Sequence, residues 1–313
     1  MHLKPARTAA SAAAIGGVLV LGLGSAQAAM AKPDSIYHVP CSMEALKYDL
    51  AHVSTDGTLF LAPGCTYYLN GGMADNVDTL TIVGDDTTIR GGGPDSDFII
   101  LVVPAGKTLT LDGVNFTEGS ATNGGAIDNS GDLTVNGGTF SHNNAEFGAA
   151  IDDATGALTI NDAAFISNES ESGGAVFVED ATGATITGAH FSQNKAEYGG
   201  AIYVEEDLTV ADSTFTGNTA DQGGAIYNDA TLTLTNVTDV AGSGNAFTGN
   251  IAYQGGGIYN DDVAIAGDSL IAYNAAHDLG GGVYNACGVD FSAPGSTIYG
   301  NVTDNIYNVG TCP

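Results

Sequence analysis

Apolar residues return along the middle of the chain in pairs two positions apart: Leu109/Leu111, Leu133/Val135, Leu158/Ile160, Leu208/Val210 and Leu232/Leu234, each with a threonine between. Alternation at period two is the mark of a half-buried strand, with leucine turned in and threonine turned out. In four of the five pairs the second member stands five residues before a phenylalanine. That phenylalanine opens a second pattern, Phe-x-x-Asn, at Phe140/Asn143, Phe165/Asn168, Phe191/Asn194, Phe215/Asn218 and Phe247/Asn250. Weaker copies follow at Ile271/Asn274 and Ile298/Asn301. A third pattern, Gly-Gly-Ala-aliphatic, keeps time with it, its aliphatic members being Ile127, Ile151, Val176, Ile202, Ile226, Ile258 and Val283.

The Phe-x-x-Asn steps are 25, 26, 24, 32, 24 and 27 residues, a period that signals a solenoid. Paired helices are excluded because the units are poor in helix formers and rich in Gly, Thr, Val and Asn. Leucine-rich repeats would need several leucines per unit. Three short alternating runs per unit, separated by Gly or Asn, instead predict a parallel β-helix whose coils hold three strands in about 24–26 residues. Phe and the aliphatic residue then point inward and stack on their equivalents. The Asn is expected at a turn, tolerating unusual dihedrals and bonding its neighbours as a ladder. The glycines give a tight corner with positive φ and close approach of coils. They are not a phosphate loop, since they repeat in register and no helix follows them. The step of 32 is an ordinary coil with about eight extra residues, expected as a loop within Asn236–Ala246.

Both ends of such a ladder need covering. Ser42–Val53 places Met43, Leu46, Leu50 and Val53 on one helical face and is expected to cap the N-terminal end. The four cysteines lie one coil apart in pairs, so Cys41–Cys65 and Cys287–Cys312 are the expected disulfides, one clamp at each end. Residues 1–31 read as a secretory signal peptide. His2, Lys4 and Arg7 start it, an Ala/Gly/Val/Leu run from Ala9 to Leu23 follows, and small residues close it. The expected organisation is thus signal peptide 1–31, N-terminal cap 32–75 and β-helix 76–313, in a secreted, extracellular or cell-surface protein.

Charge narrows the partners. The net charge is −29, and loss of Lys4 and Arg7 with the signal peptide takes it to −31. Nucleic acid and anionic membranes would be repelled; neutral glycans, proteins or divalent cations suit the surface better.

Gly124–Ile127, Gly173–Val176, Gly199–Ile202 and Gly223–Ile226, with the five Phe-x-x-Asn tetrads, resemble the passenger repeats of the chlamydial polymorphic membrane proteins over roughly residues 110–285. The resemblance implies a right-handed β-helix, exported and used in adhesion. That family's C-terminal membrane barrel has no counterpart in the strand pattern before Pro313, so membrane insertion is not expected. The composition also resembles short secreted β-helix proteins of actinomycetes.

Alternation turns the residue after each aliphatic outward, giving Asp128, Asp152, Phe177, Tyr203, Tyr227, Tyr259, Tyr284 and Tyr307. The aromatic members Phe177, Tyr203, Tyr227, Tyr259 and Tyr284 are the candidate ligand-binding residues, for a glycan or a surface protein. Acidic columns flank them: Glu146, Glu171, Glu197 and Asp221 on one side; Glu179, Glu205, Asp229 and Asp261, with Asp180, Glu206 and Asp262, on the other. Stacked carboxylates repel, and calcium is the candidate occupant at Glu179, Asp180, Glu205, Glu206 and Asp229. Apart from that ion no cofactor is expected, and a monomer is. The expected function is adhesin-like surface binding, with a polysaccharide lyase or glycosidase, or a purely structural cell-wall or matrix protein, as alternatives. No catalytic residue is assigned. Repeated carboxylates give glycosidase spacings automatically, and the only cation near an acidic column, Lys195, sits on a surface turn.

Overall fold

The computed structural model describes residues 36–236, 244–286 and 289–310, with the side chains of 180–182 not described. Among these residues 27 strands join in one continuous sheet whose strand pairs are parallel. The chain winds as a right-handed parallel β-solenoid of about 10 turns, with one short helix near its N-terminal end.

The phenylalanines stack as the repeat requires. Phe140 pairs with Phe165, Phe165 with Phe191, Phe191 with Phe215 and Phe215 with Phe247, one coil above the other. Ring centroids from Phe116 to Phe247 are 4.5–5.1 Å apart with planes within 14°. Ile271 and Ile298 continue the column. The aliphatic column and the Leu/Thr strands supply the other two walls, with Ile127, Ile151, Val176, Ile202 and Ile226 fully buried. In the coil of Val263–Ala266 the alternation inverts. Ala264 and Ala266 face in, Ile265 faces solvent, and Phe291 pairs with Ala264 so that a large side chain follows a small one.

The asparagine ladder is buried. Each Nδ2 donates to the next Oδ1, from Asn143 through Asn168, Asn194, Asn218, Asn250 and Asn274 to Asn301, at 2.8–3.0 Å. The same oxygens accept backbone N–H bonds, as from Asn168 to Asn194, and each Nδ2 also reaches a phenylalanine carbonyl, as from Asn194 to Phe165. The unusual dihedral falls one residue earlier than the sequence suggested: His142, Ser167, Gln193 and Gly217 carry positive φ. That residue turns the corner, so the Asn that follows can point inward. At Gly223, with φ +67°, a side chain would collide with the Ile226 carbonyl, and at Gly224 with the carbonyl of Gly256 in the next coil.

The helix Met43–His52 covers the N-terminal end. Ser42 caps it through a bond from the Ala45 N–H, and Leu46 and Leu50 are buried. Cys41 and Cys65 form a disulfide with Cα atoms 5.7 Å apart. The strand Ile36–Val39 already pairs in parallel with Gly57–Leu61, which pairs with Thr79–Arg90, so the solenoid's sheet reaches into the cap. The expected signal peptide and the Cys287–Cys312 bridge lie outside the described residues, as does most of the expected loop within Asn236–Ala246. Among the described residues no helix is long and apolar enough to cross a membrane.

Candidate functional site

The aliphatic strands place their outward residues in strict register. Asp128, Asp152, Phe177, Tyr203, Tyr227, Tyr259, Tyr284 and Tyr307 pair in sequence from coil to coil. From Phe177 to Tyr307 the ring centroids are 4.7–5.6 Å apart. Most neighbours lie nearly parallel, 4° for Phe177–Tyr203, 6° for Tyr227–Tyr259 and 14° for Tyr259–Tyr284. Ring faces are therefore largely occupied by one another, except where Tyr203 and Tyr227 tilt by 57°. Phe177 is 4 % exposed and Tyr227 9 %, with Tyr203, Tyr259, Tyr284 and Tyr307 half-buried. What this stripe turns to solvent is a row of phenol edges, not an open aromatic floor.

The hydroxyls on those edges meet the carboxylate column. The Tyr227 hydroxyl donates to Asp261 Oδ2 at 3.4 Å, and Glu205 stands two residues after Tyr203, just past the end of its strand. Burial, then nearby carboxylates, raises Tyr203 and Tyr227 above the ordinary phenol range; the same causes push Tyr259 up to about 12. Burial raises Glu205 and Asp229, and neighbouring acids add to it. The result is a row of phenols that stay protonated beside carboxylates that accept, a surface able to give and take hydrogen bonds along its length.

Glu179, Glu205, Glu206 and Asp229 are exposed at successive rungs, and the side chain of Asp180 lies outside the described residues. Among the described residues no three His, Cys, Asp or Glu side chains converge to hold a metal ion. Each coil contributes its acids at the end of one outward-facing strand, and a calcium shell needs six to eight converging oxygens. The opposite acidic column, Glu171, Glu197 and Asp221, lines an open groove of about 510 Å³. Lys195 stands in that groove, exposed and paired with Glu169 at 2.5 Å.

Three features were not read from the sequence. Phe147 and Tyr198 stand in a column just before the first glycine of each coil, with Ser172, Gln222 and Gln254. Phe147 stacks on Phe177 at 5.5 Å, and Tyr198 meets Tyr227 edge-on at 5.6 Å. Their place immediately before Gly148 and Gly199 was the available signal. A second buried amide ladder runs two residues after the aliphatic, through Asn228, Asn260 and Asn285. In an earlier coil this position holds Asp153, and Val178 and Val204 interrupt the ladder. Third, Asp152 and Asp153 are both fully buried. Asn123 donates to Asp152 at 2.7 Å and Asn129 to Asp153 at 2.6 Å, and the other oxygen of each has no partner. Burial pushes both carboxyls up to about 7.

This geometry defines the class: an acidic right-handed parallel β-helix with polar and aromatic ladders on its flanks. Residues 84–239 match the family model described as the right handed beta helix region. Comparison with curated proteins and with solved structures found no significant match.

Proposed function

We propose that the protein is a secreted, adhesin-like module that binds a glycan or surface protein through its tyrosine stripe. The observation that carries this reading is the in-register row of tyrosines from Tyr203 to Tyr307, with the Tyr227 hydroxyl bonded to Asp261 in the flanking acidic column. A row of phenol hydroxyls with a carboxylate column beside it fits an extended, polyhydroxylated or amide-bearing chain laid along the solenoid axis. The likeness of its repeats to chlamydial passenger repeats points the same way. The paired state of Lys195 and the regularity of the coils disfavour a lyase or glycosidase.

The test is a screen of polysaccharides and surface proteins with and without calcium, scoring both retention and release of reducing ends. Retention that drops at least tenfold in Tyr227→Ala and Tyr259→Ala supports the stripe. Release of reducing ends would replace it with the enzymatic alternative.

A further inference from the structure

The corner that follows the asparagine ladder changes character along the solenoid. Its first outward position reads Asn144, Glu169, Lys195 and Thr219 in successive coils, then Ile251, Ala275 and Val302, all in register. Two residues further on, the column Glu146, Glu171, Glu197, Asp221 ends and Tyr253 takes its place. The positive-φ position just before the ladder holds Gly217 and Gly249, then Tyr273, then Gly300. Ile251, Tyr253, Tyr273, Tyr299 and Val302 are all exposed, Tyr253 by 56 % and Tyr273 by 62 %.

Tyr273 is held at φ +59°, a left-handed conformation that a bulky side chain rarely adopts and that its neighbours fill with glycine. Its ring leans over Gly300, where a Cβ would lie 3.0 Å away, and meets Tyr299 edge-on at 5.3 Å and 79°. Unlike the stripe, this pair leaves ring face uncovered. Tyr253 also forms one wall of an open groove of about 390 Å³ whose other wall is Tyr198. Between them lie Gln222 and Gln254, whose amides join at 3.4 Å. Gln254 in turn donates to Asp278 at 2.9 Å.

We infer that this corner is a second binding site for an uncharged oligosaccharide, beside the stripe, which its Tyr198 wall touches at Tyr227. Exposed tyrosine faces match the apolar C–H face of a sugar ring, and the amides and carboxylates of the groove match its hydroxyls. Charge selects the same class: no Lys or Arg follows Lys195, and the basic His277 stands next to Asp278, so phosphate or uronate is disfavoured here. Exposed aromatic and aliphatic side chains grouped in this way mark a contact surface.

The test is affinity electrophoresis of the full exported chain in gels containing β-1,4-glucan, β-1,4-mannan, α-1,4-glucan or arabinan, with light scattering for mass. At least one neutral polymer should retard the protein. Tyr253→Ala and Tyr273→Gly should each weaken that retardation at least tenfold. The glycine variant carries the residue of the flanking coils, so its thermal unfolding midpoint should be unchanged or higher. Tyr227→Ala and Tyr259→Ala run in the same gels. A loss confined to these two overturns the corner site and leaves the stripe reading standing; a loss with the corner variants supports the corner whatever the stripe does. Absence of retardation by all four polymers overturns the proposal, and so does a dimer that Tyr273→Gly turns into a monomer.

Discussion

Two aromatic columns climb this solenoid at nearly the same spacing, an inner one from Phe116 to Phe247 and an outer one from Phe177 to Tyr307. The phenylalanines inside stack at 4.5–5.1 Å and the aromatic stripe outside at 4.7–5.6 Å. The shared spacing follows from parallel register, which places any repeated side chain above its copy whether or not the stack has a task. What separates them is burial. The inner rings are shielded on every side, whereas Tyr203, Tyr259, Tyr284 and Tyr307 outside are only half-buried. Stacking is thus a by-product of the repeat, and it is the free edge outside, and the free face at the corner, that carry information about ligands.

The largest expected effect lies inside. Phe191→Ala should destabilise the fold by about 3–5 kcal/mol in denaturant unfolding, through lost transfer energy and the cavity left between two rings. The equivalent truncation outside, Tyr259→Ala, should cost only about 1 kcal/mol. Equal costs would break the comparison.

Comparable in size is a pH effect from the buried acids. Asp153 has its folded value raised from 3.8 to about 7, chiefly by burial. Its contribution to stability is fully present below about pH 4, is lost as pH rises towards 7, and is level above it. The loss is on the order of 4 kcal/mol for this one group. Asp152 carries a shift of the same sign and size. Asp153→Asn should flatten the decline between pH 4 and 7 in urea unfolding; an unchanged slope would mean that the carboxyl titrates normally.

The smallest effect on stability, and the sharpest on function, belongs to Tyr227→Phe. It keeps the ring stack and removes only the bond to Asp261. Unfolding should shift by less than about 1 kcal/mol, while retention on a stripe ligand should fall severalfold. Unchanged retention would show that ring faces, not phenol edges, make the contact.

Much of this was legible beforehand. Phe-x-x-Asn and Gly-Gly-Ala-Ile fell at the expected corners, Ser42–Val53 gave the capping helix, and Cys41 met Cys65. Register alone put Tyr203, Tyr227 and Tyr259 in one column. Other features depend on what fills the space beside a strand, which period cannot express. The carboxylates at Glu179, Glu205 and Asp229 share a column, and among the described residues they form no group of three that could hold an ion. Asp152 is formally an outward residue, and it is sealed from water beside Asn123 and Phe177. Phe147 and Tyr198 occur in only some coils and so left no repeat to notice.

The order of residues by itself determined the solenoid, its coil length and the identity of each column, because a β-helix turns a sequence period directly into vertical alignment. Only the folded chain decided which outward residues stay in water, which rings offer an edge or a face, and which acids lose their charge. Those properties arise from side chains packed across corners and between coils, where distance along the chain carries no information about proximity in space.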